Sequence, residues 1–524
     1  MGIIDVADLQ YALGSRVLFE GVSFRIGDGQ HVSLVGANGA GKTTLLKLIA
    51  GVLPRQAGQI HVDSSLGLMQ QFVAAAPEAV SIRSFLLGYA TPRVRAAAGD
   101  VARFEQRAQR SKDQKAQLSY ANALSRWGEA GGYDAEVLWD TCTVAALGLG
   151  FQAVADRPVK TLSGGEQKRL ALEVLFRSEF DILLLDEPDN FLDIPAKRWL
   201  EDLINDSRKT IFYVSHDRTL LARTSTRIVT LEGRGTWVHE ESFESYVAAR
   251  GRRVERIADE RRQYQQERDR LYASMKEFKR RAAISPRQAS RAKAAETKLR
   301  RFEETSVVRE RPQQQNISMD LRGGRTGKIV LRTGGLSFPR LVEPFSVEVW
   351  FGERIGVVGP NGSGKSHFLR LLAGEEIGHG GEYRLGARVQ PSLFHQMHER
   401  PELLDHTIRD IITKRGFDLS TTMSRLKRYE LQAEAMSPFS LLSGGQQARF
   451  QILLMELESP TMLLLDEPTD NLDIDSAEAL EDALDRYEGT VMAVTHDRWF
   501  MQQLDRFLVF ESNGEVHEEL VSPY

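Results

Sequence analysis

The chain has 524 residues, of which 42% are hydrophobic and 27% are charged. This balance is typical of a folded protein rather than a disordered one. No run approaches the roughly 18 consecutive apolar residues of a membrane-spanning helix, and the first residues lack the basic-then-apolar layout of a secretory signal. Cys142 is the only cysteine, which favours a reducing compartment. We therefore expect a cytoplasmic protein of about three domains.

The formal net charge is −4, but the basic residues concentrate in two segments. Residues 276–301 hold ten basic residues against two acidic ones, and residues 92–128 hold eight against three. Two basic appendages on acidic bodies indicate a polyanionic partner. For the 276–301 segment, the alternative is a spacer whose charges are only solvated.

The first chemical motif in chain order is GxxxxGK[ST], which occurs at 36–43 and again at 359–366, each time between an apolar strand and an apolar helix. Its glycines let backbone N–H groups surround phosphate oxygens, and the helix N-terminus adds positive potential. The motif's lysine is expected to reach the β- and γ-phosphates, and its last residue, Thr43 or Ser366, to ligate Mg²⁺. The predicted nucleotide-binding residues of these loops are Gly36, Asn38, Gly39, Gly41, Lys42, Thr43 and Thr44, and Gly359, Asn361, Gly362, Gly364, Lys365, Ser366 and His367.

A glutamine follows each loop, and Gln71 and Gln396 are predicted contacts of Mg²⁺ and the attacking water. An ordinary polar residue after a strand is the alternative. The first glutamine lies 92 residues before Ser163, whereas the second lies 47 before Ser443. The first copy therefore contains about 45 additional residues, which include the basic 92–128 segment. We predict that residues 90–130 form an arm.

The sequence LSGG recurs at 162–165 and 442–445, and an apolar strand ending in paired carboxylates follows each copy at the same distance of 23 residues. Unbroken apolar runs suit buried central strands of a parallel sheet. The first carboxylate of each pair is expected to hold Mg²⁺ and the second to polarise the attacking water, because phosphoryl transfer needs a positioned nucleophile and charge neutralisation. The pairs are Asp186 with Glu187 and Asp466 with Glu467.

A histidine follows the next short apolar strand in both copies. His216 and His496 each lie 29 residues after the preceding catalytic glutamate. One such histidine would more often be structural, but the equal spacing favours a γ-phosphate sensor that orients the water. The matched motifs and spacings show that one domain has been duplicated.

The segment between the copies has the pattern of a helical hairpin. Ile257, Tyr264, Leu271 and Phe278 recur every seven residues, which predicts a packed helix face. Ser285-Pro286 interrupts the pattern, because proline disfavours the helical conformation of the preceding residue. A return helix is predicted after it, with Ala292, Ala295, Leu299 and Phe302 on one face.

This set of motifs resembles the ABC ATPase superfamily, in which LSGG[EQ] is the signature. The resemblance implies head-to-tail packing, so that each ATP lies between one P-loop and the other domain's signature, within a monomer. The first site would combine the first copy's motif residues with Ser443, Gly444 and Gly445, and the second site would take Ser163, Gly164 and Gly165. Tyr11 and Phe338 stand where the family stacks adenine on an aromatic ring, and exposed strand aromatics are the alternative.

Two such domains, a basic hairpin between them and the GGYDAE element at 131–136 resemble the ABC-F subfamily. The resemblance implies an α/β fold with two ABC-type P-loop NTPase domains in tandem, at 1–242 and 326–524, joined by a helical hairpin linker at 243–325. It also implies ATP and Mg²⁺ as cofactors and the ribosome, through ribosomal RNA and tRNA, as partner. The predicted RNA-binding residues are Lys279, Arg280, Arg281, Arg287, Arg291 and Lys293.

Three functions remain open on these grounds. The short tip AAISPRQAS favours a translation factor that hydrolyses ATP to time its release, over an antibiotic-resistance member that dislodges ribosome-bound drugs. The third is the ATPase subunit of a transporter, against which the hairpin and the missing membrane segment count. Asp189, Phe191 and Asp470 depart from the family's DEPTNHLD pattern. From these departures we expect the two sites to turn over at unequal rates.

Overall fold

The structure is a computed structural model and describes residues 2–69, 80–110, 113–284, 289–305, 317–395 and 401–523. Gln71, Gln396, Arg287 and the Ser285-Pro286 break lie outside these residues. The elements of the first half are β1 (Ile4–Leu13), β2 (Arg16–Ile26), β3 (His31–Gly36), α1 (Lys42–Ile49), β4 (Ala57–Val62), β5 (Leu66–Met69), α2 (Ile82–Gly88), α3 (Pro92–Arg110), α4 (Gln114–Glu129), α5 (Gly132–Leu147), α6 (Phe151–Val154), α7 (Gly164–Arg177), β6 (Ile182–Asp186), α8 (Ile194–Asn205), β7 (Thr210–Val214), α9 (Arg218–Thr224), β8 (Arg227–Glu232) and β9 (Gly235–His239).

Two long helices connect the halves, and the second half then repeats the order of the first. The connecting helices are α10 (Phe243–Ile284) and α11 (Ala289–Thr305). The elements of the second half are β10 (Ile329–Phe338), β11 (Val342–Phe345), β12 (Glu348–Trp350), β13 (Arg354–Val358), α12 (Lys365–Leu372), β14 (Gly380–Leu385), β15 (Pro391–Phe394), α13 (Ile408–Thr413), α14 (Leu419–Arg428), α15 (Gly444–Glu458), β16 (Met462–Asp466), α16 (Ile474–Asp485), β17 (Thr490–Val494), β18 (Arg506–Phe510) and β19 (Val516–Glu519).

Each half has a six-stranded sheet with the same strand order. The first sheet runs β5-β6-β7-β3-β8-β9 and the second β15-β16-β17-β13-β18-β19. The pairs are parallel except for the antiparallel last strand of each sheet. A smaller antiparallel sheet completes each half, with order β2-β1-β4 in the first and with β10 paired to β11, β12 and β14 in the second. The predicted tandem α/β architecture is confirmed.

The strand order places the chemical motifs at one edge of each sheet. Every residue of β6, β7, β16 and β17 is buried, as expected of apolar strands with helices on both faces. In the first sheet Val214 pairs with Leu34 on one side and with Asp186 on the other. The carboxyl ends of β3, β6 and β7 therefore meet, and the loop of α1 begins at the same edge.

The basic segments lie on helices outside the two sheets. The 92–128 segment falls on α3 and α4, which pack against each other. Between α10 and α11 the rings of Tyr264 and Phe302 stack with centroids 5.0 Å apart, and Leu271 of α10 and Leu299 of α11 are buried. Ile257 is also buried, in the part of α10 nearer the domains. The predicted helical hairpin is confirmed, whereas the domain boundaries at 242/243 and 325/326 stay predictions.

Each half contributes an apolar side chain to a buried cluster of the other half. Ile474, the first residue of α16, belongs to a buried cluster made otherwise of first-half residues such as Val35 and Tyr246. Ile194, the first residue of α8, packs in the second half with Val358 and Met501. Because both isoleucines lie seven residues after the glutamate of their copy, the two contacts follow the duplication.

Candidate active sites at the domain interface

Both phosphate-binding loops adopt the same backbone arrangement. Gly41 and Gly364 have φ of 99° and 98° immediately before α1 and α12, a left-handed conformation that costs glycine little. Lys42 Nζ donates to the carbonyl oxygens of Gly36 and Ala37 at 2.8 and 3.2 Å. Lys365 Nζ makes the same contacts in the second loop. Each ammonium group thus lies within the curve of its loop, where phosphate oxygens are expected to bind.

The predicted Mg²⁺ ligands of each copy lie side by side. Thr43 hydrogen-bonds the Asp186 carboxylate, which lowers the pKa of that group although burial raises it more, and Ser366 and Asp466 are related in the same way. One carboxylate oxygen of each aspartate is buried without a hydrogen-bond partner among the described residues. A hydroxyl and one carboxylate oxygen suit Mg²⁺, which takes its other ligands from water and phosphates, so the residues present fit the ion.

The catalytic glutamates predicted from the sequence adopt a strained backbone conformation. Glu187 and Glu467 have φ of 50° and 49°, a region uncommon for residues other than glycine. Their N–H groups donate to the carbonyl oxygens of Val214 and Val494, each at 3.0 Å. The neighbouring strand thus holds the turn that carries the carboxylate, and such strain is concentrated at functional sites.

Each signature sequence forms the N-terminus of a helix with a capping box. The Ser163 hydroxyl accepts from the N–H of Glu166, whose carboxylate accepts in return from the Ser163 N–H, and Ser443 and Gln446 repeat the arrangement. A Cβ atom added to Gly445 would lie 2.0 Å from Asn38 Nδ2 in the first loop. Glycine is therefore required at this position, because the second half's signature packs directly against the first half's phosphate-binding loop.

A cavity of about 380 Å³ lies between that loop and that signature. Its walls combine both halves of the chain, as the head-to-tail prediction requires. The first half contributes Leu13, Arg16, Leu18, Asn38, Gly39, Gly41, Lys42, Thr43, Thr44, Glu187 and His216, and the second contributes Ser443, Gly444, Gly445, Asp470 and Asn471. We call this cavity the first site.

The loop after β16 closes the first site from the second half. The Asn38 N–H donates to Asp473 Oδ2 at 2.8 Å, and Asn38 Nδ2 donates to the Asn471 carbonyl at 2.9 Å. In the second site, Asn361 Nδ2 donates to the carbonyl oxygen of Phe191 at 3.1 Å. Sequence reasoning did not assign Asn471 and Asp473, although both lie within residues 466–473, where it noted Asp470 as a departure from the family pattern.

The two histidines differ in their partners. Burial and the Lys42 ammonium lower the pKa of His216 to about 3, and both of its buried ring nitrogens have no hydrogen-bond partner among the described residues. Burial also holds the pKa of His496 well below its usual value, but its Nε2 lies 3.3 Å from Asn361 Oδ1 and 3.4 Å from Glu467 Oε1. Both rings are neutral at pH 7, and their role as γ-phosphate sensors stays a prediction.

The two glutamates predicted to be catalytic also have different neighbours. Asn190 Nδ2 donates to Glu187 Oε2 at 2.8 Å, whereas the aligned residue of the second copy is Asp470, which carries no amide. Burial and the Asp470 carboxylate raise the pKa of Glu467 well above its usual value. The departures from the family pattern therefore give the two sites different electrostatics.

The sequence analysis did not identify one buried lysine that contacts the backbone of Glu187. Lys168, which is 1% exposed, donates from Nζ to the carbonyl oxygen of Glu187, and burial lowers its pKa to about 8. The aligned residue of the second copy is Ala448. The only sequence signal was this mismatch between LSGGEQKR and LSGGQQAR.

The predicted adenine contacts lie elsewhere than expected. Tyr11 is 9% exposed, with its ring centroid 6.5 Å from that of Phe19, and it is absent from the cavity wall. The exposed side chain at the end of β1 is Leu13. Phe338 is 2% exposed beside the His367 ring. Both aromatic rings belong to the cores of their halves, so neither presents a free face on which a base could stack.

Comparison with known proteins agrees with this geometry. The family model described as ABC transporter matches residues 19–190 and 342–470. A Mycobacteroides abscessus protein named "Antibiotic resistance protein" is 45% identical over 96% of each chain. "ABC transporter F family member 5" of Arabidopsis thaliana is 30% identical over 94% of this chain and 72% of its own. A crystal structure of an archaeal ribosome recycling factor with a stalk protein has a TM-score of 0.57 at 20% identity, covering 96% of this chain and 87% of that one.

Two phosphate-binding loops and two signatures, all at one interface of a single chain, define a tandem ABC ATPase. The last comparison adds support for the fold alone. The chain belongs to the ABC-F family of ATP-binding cassette proteins and is an ATP hydrolase. Within the part of the chain that the structure describes, no helix combines the length and apolar character needed to cross a bilayer.

Proposed function

We propose that this protein protects the ribosome against an antibiotic, by binding it in the ATP-closed form and leaving after ATP hydrolysis with Mg²⁺ as cofactor. The observation that carries the proposal is the 45% identity to the M. abscessus "Antibiotic resistance protein", which extends over 96% of both chains. A match of this extent includes both ATP sites and the hairpin. In the sequence analysis, the short tip favoured a translation factor. The extent of this match leads us to favour a resistance protein instead.

The charge of the hairpin supports an RNA partner. Lys279 pairs with Glu296 at 2.9 Å, and Arg280 and Arg281 both pair with Glu277 at 3.1 and 2.8 Å. These pairs are exposed, and exposed ion pairs contribute only about 0–1 kcal/mol each. Arg291 and Lys293 are exposed on the facing helix. Phosphates can therefore replace the carboxylates at little cost, and RNA backbones favour clustered Lys and Arg.

A translation factor is the second candidate, and the small number of residues between the two hairpin helices favours it. The helix α10 ends at Ile284 and α11 begins at Ala289, so few residues separate the helices at the tip. So short a connection leaves little chain to extend toward a drug site beyond the tRNA. This observation is local, whereas the identity to the resistance protein extends over nearly the whole chain.

The experiment that tests the proposal is expression in an antibiotic-sensitive bacterium, followed by minimum inhibitory concentrations across several classes of ribosome-targeting drugs. We expect resistance to one or more of these classes and unchanged sensitivity to drugs that act on the cell wall. The matched control is Lys42→Ala with Lys365→Ala, which removes the phosphate-binding ammonium groups. Unchanged sensitivity to every drug, with altered polysome profiles, would favour the translation factor.

The hairpin charges give a second test that does not need a drug. Replacing Arg280, Arg281 and Arg291 with glutamine should weaken ATP-dependent ribosome binding about tenfold and flatten its salt dependence, because fewer counterions are released. Co-sedimentation with ribosomes at several salt concentrations measures both effects.

The control for the hairpin variant removes the same number of charges from the exposed part of α10 nearer the domains. Its substitutions are Arg256→Gln, Arg261→Gln and Arg262→Gln. Equal losses in the two variants would show that total charge, rather than the tip, governs binding. Unchanged ribosome binding in both variants would indicate that the hairpin is a spacer whose charges are only solvated.

A further inference from the structure

The first turns of the hairpin are part of the first domain's core. Phe243 and Tyr246 are each 1% exposed, and their rings stack with centroids 5.6 Å apart. The hydroxyl of Thr230 in β8 donates to the Tyr246 hydroxyl at 3.0 Å. Since helix α10 continues without interruption to Ile284, a force applied near the tip reaches this anchored base along a single helix.

One turn beyond Tyr246, the same helix contacts the second domain. The guanidinium of Arg250 donates two parallel hydrogen bonds to the carboxylate of Asp475, at 2.6 and 3.0 Å. Both side chains are about one-fifth exposed, and Arg250 Nε also lies 3.8 Å from Glu232 of the first domain. Bidentate arginine–carboxylate pairs fix orientation as well as distance. This pair therefore links the base of the hairpin rigidly to the N-terminus of α16.

The contact partner of Arg250 is only two residues from a group that closes the first site. Asp473 caps α16 through the N–H of Ser476 at 3.0 Å, and its other carboxylate oxygen accepts the Asn38 N–H of the first phosphate-binding loop. A displacement of α10 that pulls on Asp475 therefore moves the first turn of α16. It changes the hydrogen bond that joins this turn to the loop.

Among the residues that the structure describes, the second site has no equivalent of the Arg250–Asp475 pair. The residue that aligns with Asp475 in the first copy is Pro195, two residues after Asp193. Proline carries no side-chain acceptor, so an arginine has nothing to bind there. The cap residue is the same in both copies, but two residues later the second copy has a carboxylate, Asp475, and the first copy has Pro195.

We infer that Arg250 is a positioning residue that couples the hairpin to the first ATP site through Asp475 and leaves the second site uncoupled. A partner that bends or shifts the hairpin would change ATP affinity at one site of the pair. The inference rests on the ATPase activity and on contacts within this chain. It does not need a ribosome, so it can fail or succeed independently of the proposed function.

The test resolves the two sites by steady-state hydrolysis of radiolabelled ATP by the full chain, with ATP varied in excess over the protein. In the Glu467→Gln background only the first site turns over, and in the Glu187→Gln background only the second. We expect Arg250→Gln to raise the half-saturating ATP concentration of the first site on the order of 5- to 10-fold, the usual range of allosteric coupling. The maximal rate of the first site should stay unchanged, and the second site should keep its half-saturation.

The matched control is Arg253→Gln, three residues along the same helix. Arg253 pairs with Glu232 at 3.3 Å and lies over the Trp237 ring at 5.2 Å, both in the first domain. We expect it to leave both sites unchanged. If Arg253→Gln matched Arg250→Gln, or if Arg250→Gln changed both sites equally or neither, the inference would be overturned.

A double-mutant cycle identifies the route of the coupling. Asp475→Asn should reproduce the effect of Arg250→Gln at the first site, and the two changes together should be no worse than either alone, because they remove the same contact. Penalties that multiply in the double variant would overturn the route through Asp475. Thermal unfolding of each variant shows whether the chain remains folded.

Discussion

Replacing Glu187 and Glu467 together with glutamine is expected to reduce ATP hydrolysis by about 10²- to 10⁴-fold, the usual contribution of a general base, while ATP still binds. Glutamine keeps the shape of the side chain but cannot accept the proton of the attacking water. Phosphate release measures turnover, and equilibrium binding of a fluorescent ATP analogue measures the sites. If the double variant kept its ATP turnover, neither glutamate would be the general base.

The single variants provide the control and also test whether the two sites are equivalent. Glu187 accepts a hydrogen bond from the Asn190 amide, whereas Glu467 lies near the Asp470 carboxylate, which raises its pKa. A raised pKa lowers the fraction of Glu467 that is ionised and able to accept a proton, so we expect Glu187→Gln to remove the larger share of turnover. Equal losses from the two single variants would show that these neighbours do not set the rates.

Two buried ion pairs cross the domain interface, and each depends on one arginine. Replacing both arginines should destabilise the closed form by about 3 kcal/mol or more for each pair that is broken. This is the usual cost of leaving a buried charge without its partner. Arg218 of the first domain pairs with Glu481, with one contact at 3.0 Å, and Arg498 of the second pairs with Glu201. All four side chains are at most 9% exposed. The variant Arg218→Ala with Arg498→Ala should therefore unfold at lower urea concentration and close less readily with ATP.

Small-angle scattering with and without ATP measures closure, and urea titration measures stability. The control is Arg223→Ala, because Arg223 also pairs with Glu201, at 3.0 Å, but within the first domain and with 55% of its side chain exposed. We expect little change from it, since exposed pairs contribute little. If Arg223→Ala and Arg498→Ala reduced closure and stability equally, the pair across the interface would contribute no more than the pair within the first domain.

The pairs Arg218–Glu481 and Arg498–Glu201 could not be predicted from the sequence alone. Arg218 and Arg498 each lie two residues after the predicted sensor histidine of their copy, and Glu201 and Glu481 each lie 14 residues after the predicted catalytic glutamate. The repetition shows that these residues correspond, but it does not show that they cross from one copy to the other. Only the fold brings together residues separated by 263 and 297 positions.

The sequence by itself determined the two α/β domains and the hairpin between them, and it predicted the lysines, carboxylates and histidines of both sites. It could do so because a phosphate-binding loop, a buried strand and a helix face are each encoded in contiguous residues, and because every motif occurs twice. Tertiary structure decided which side chains face the nucleotide cavity: Leu13 rather than Tyr11, and Asp473 against Asn38 from 435 residues away. Local patterns specify the conformation of a segment, but the packing of two distant surfaces depends on both at once.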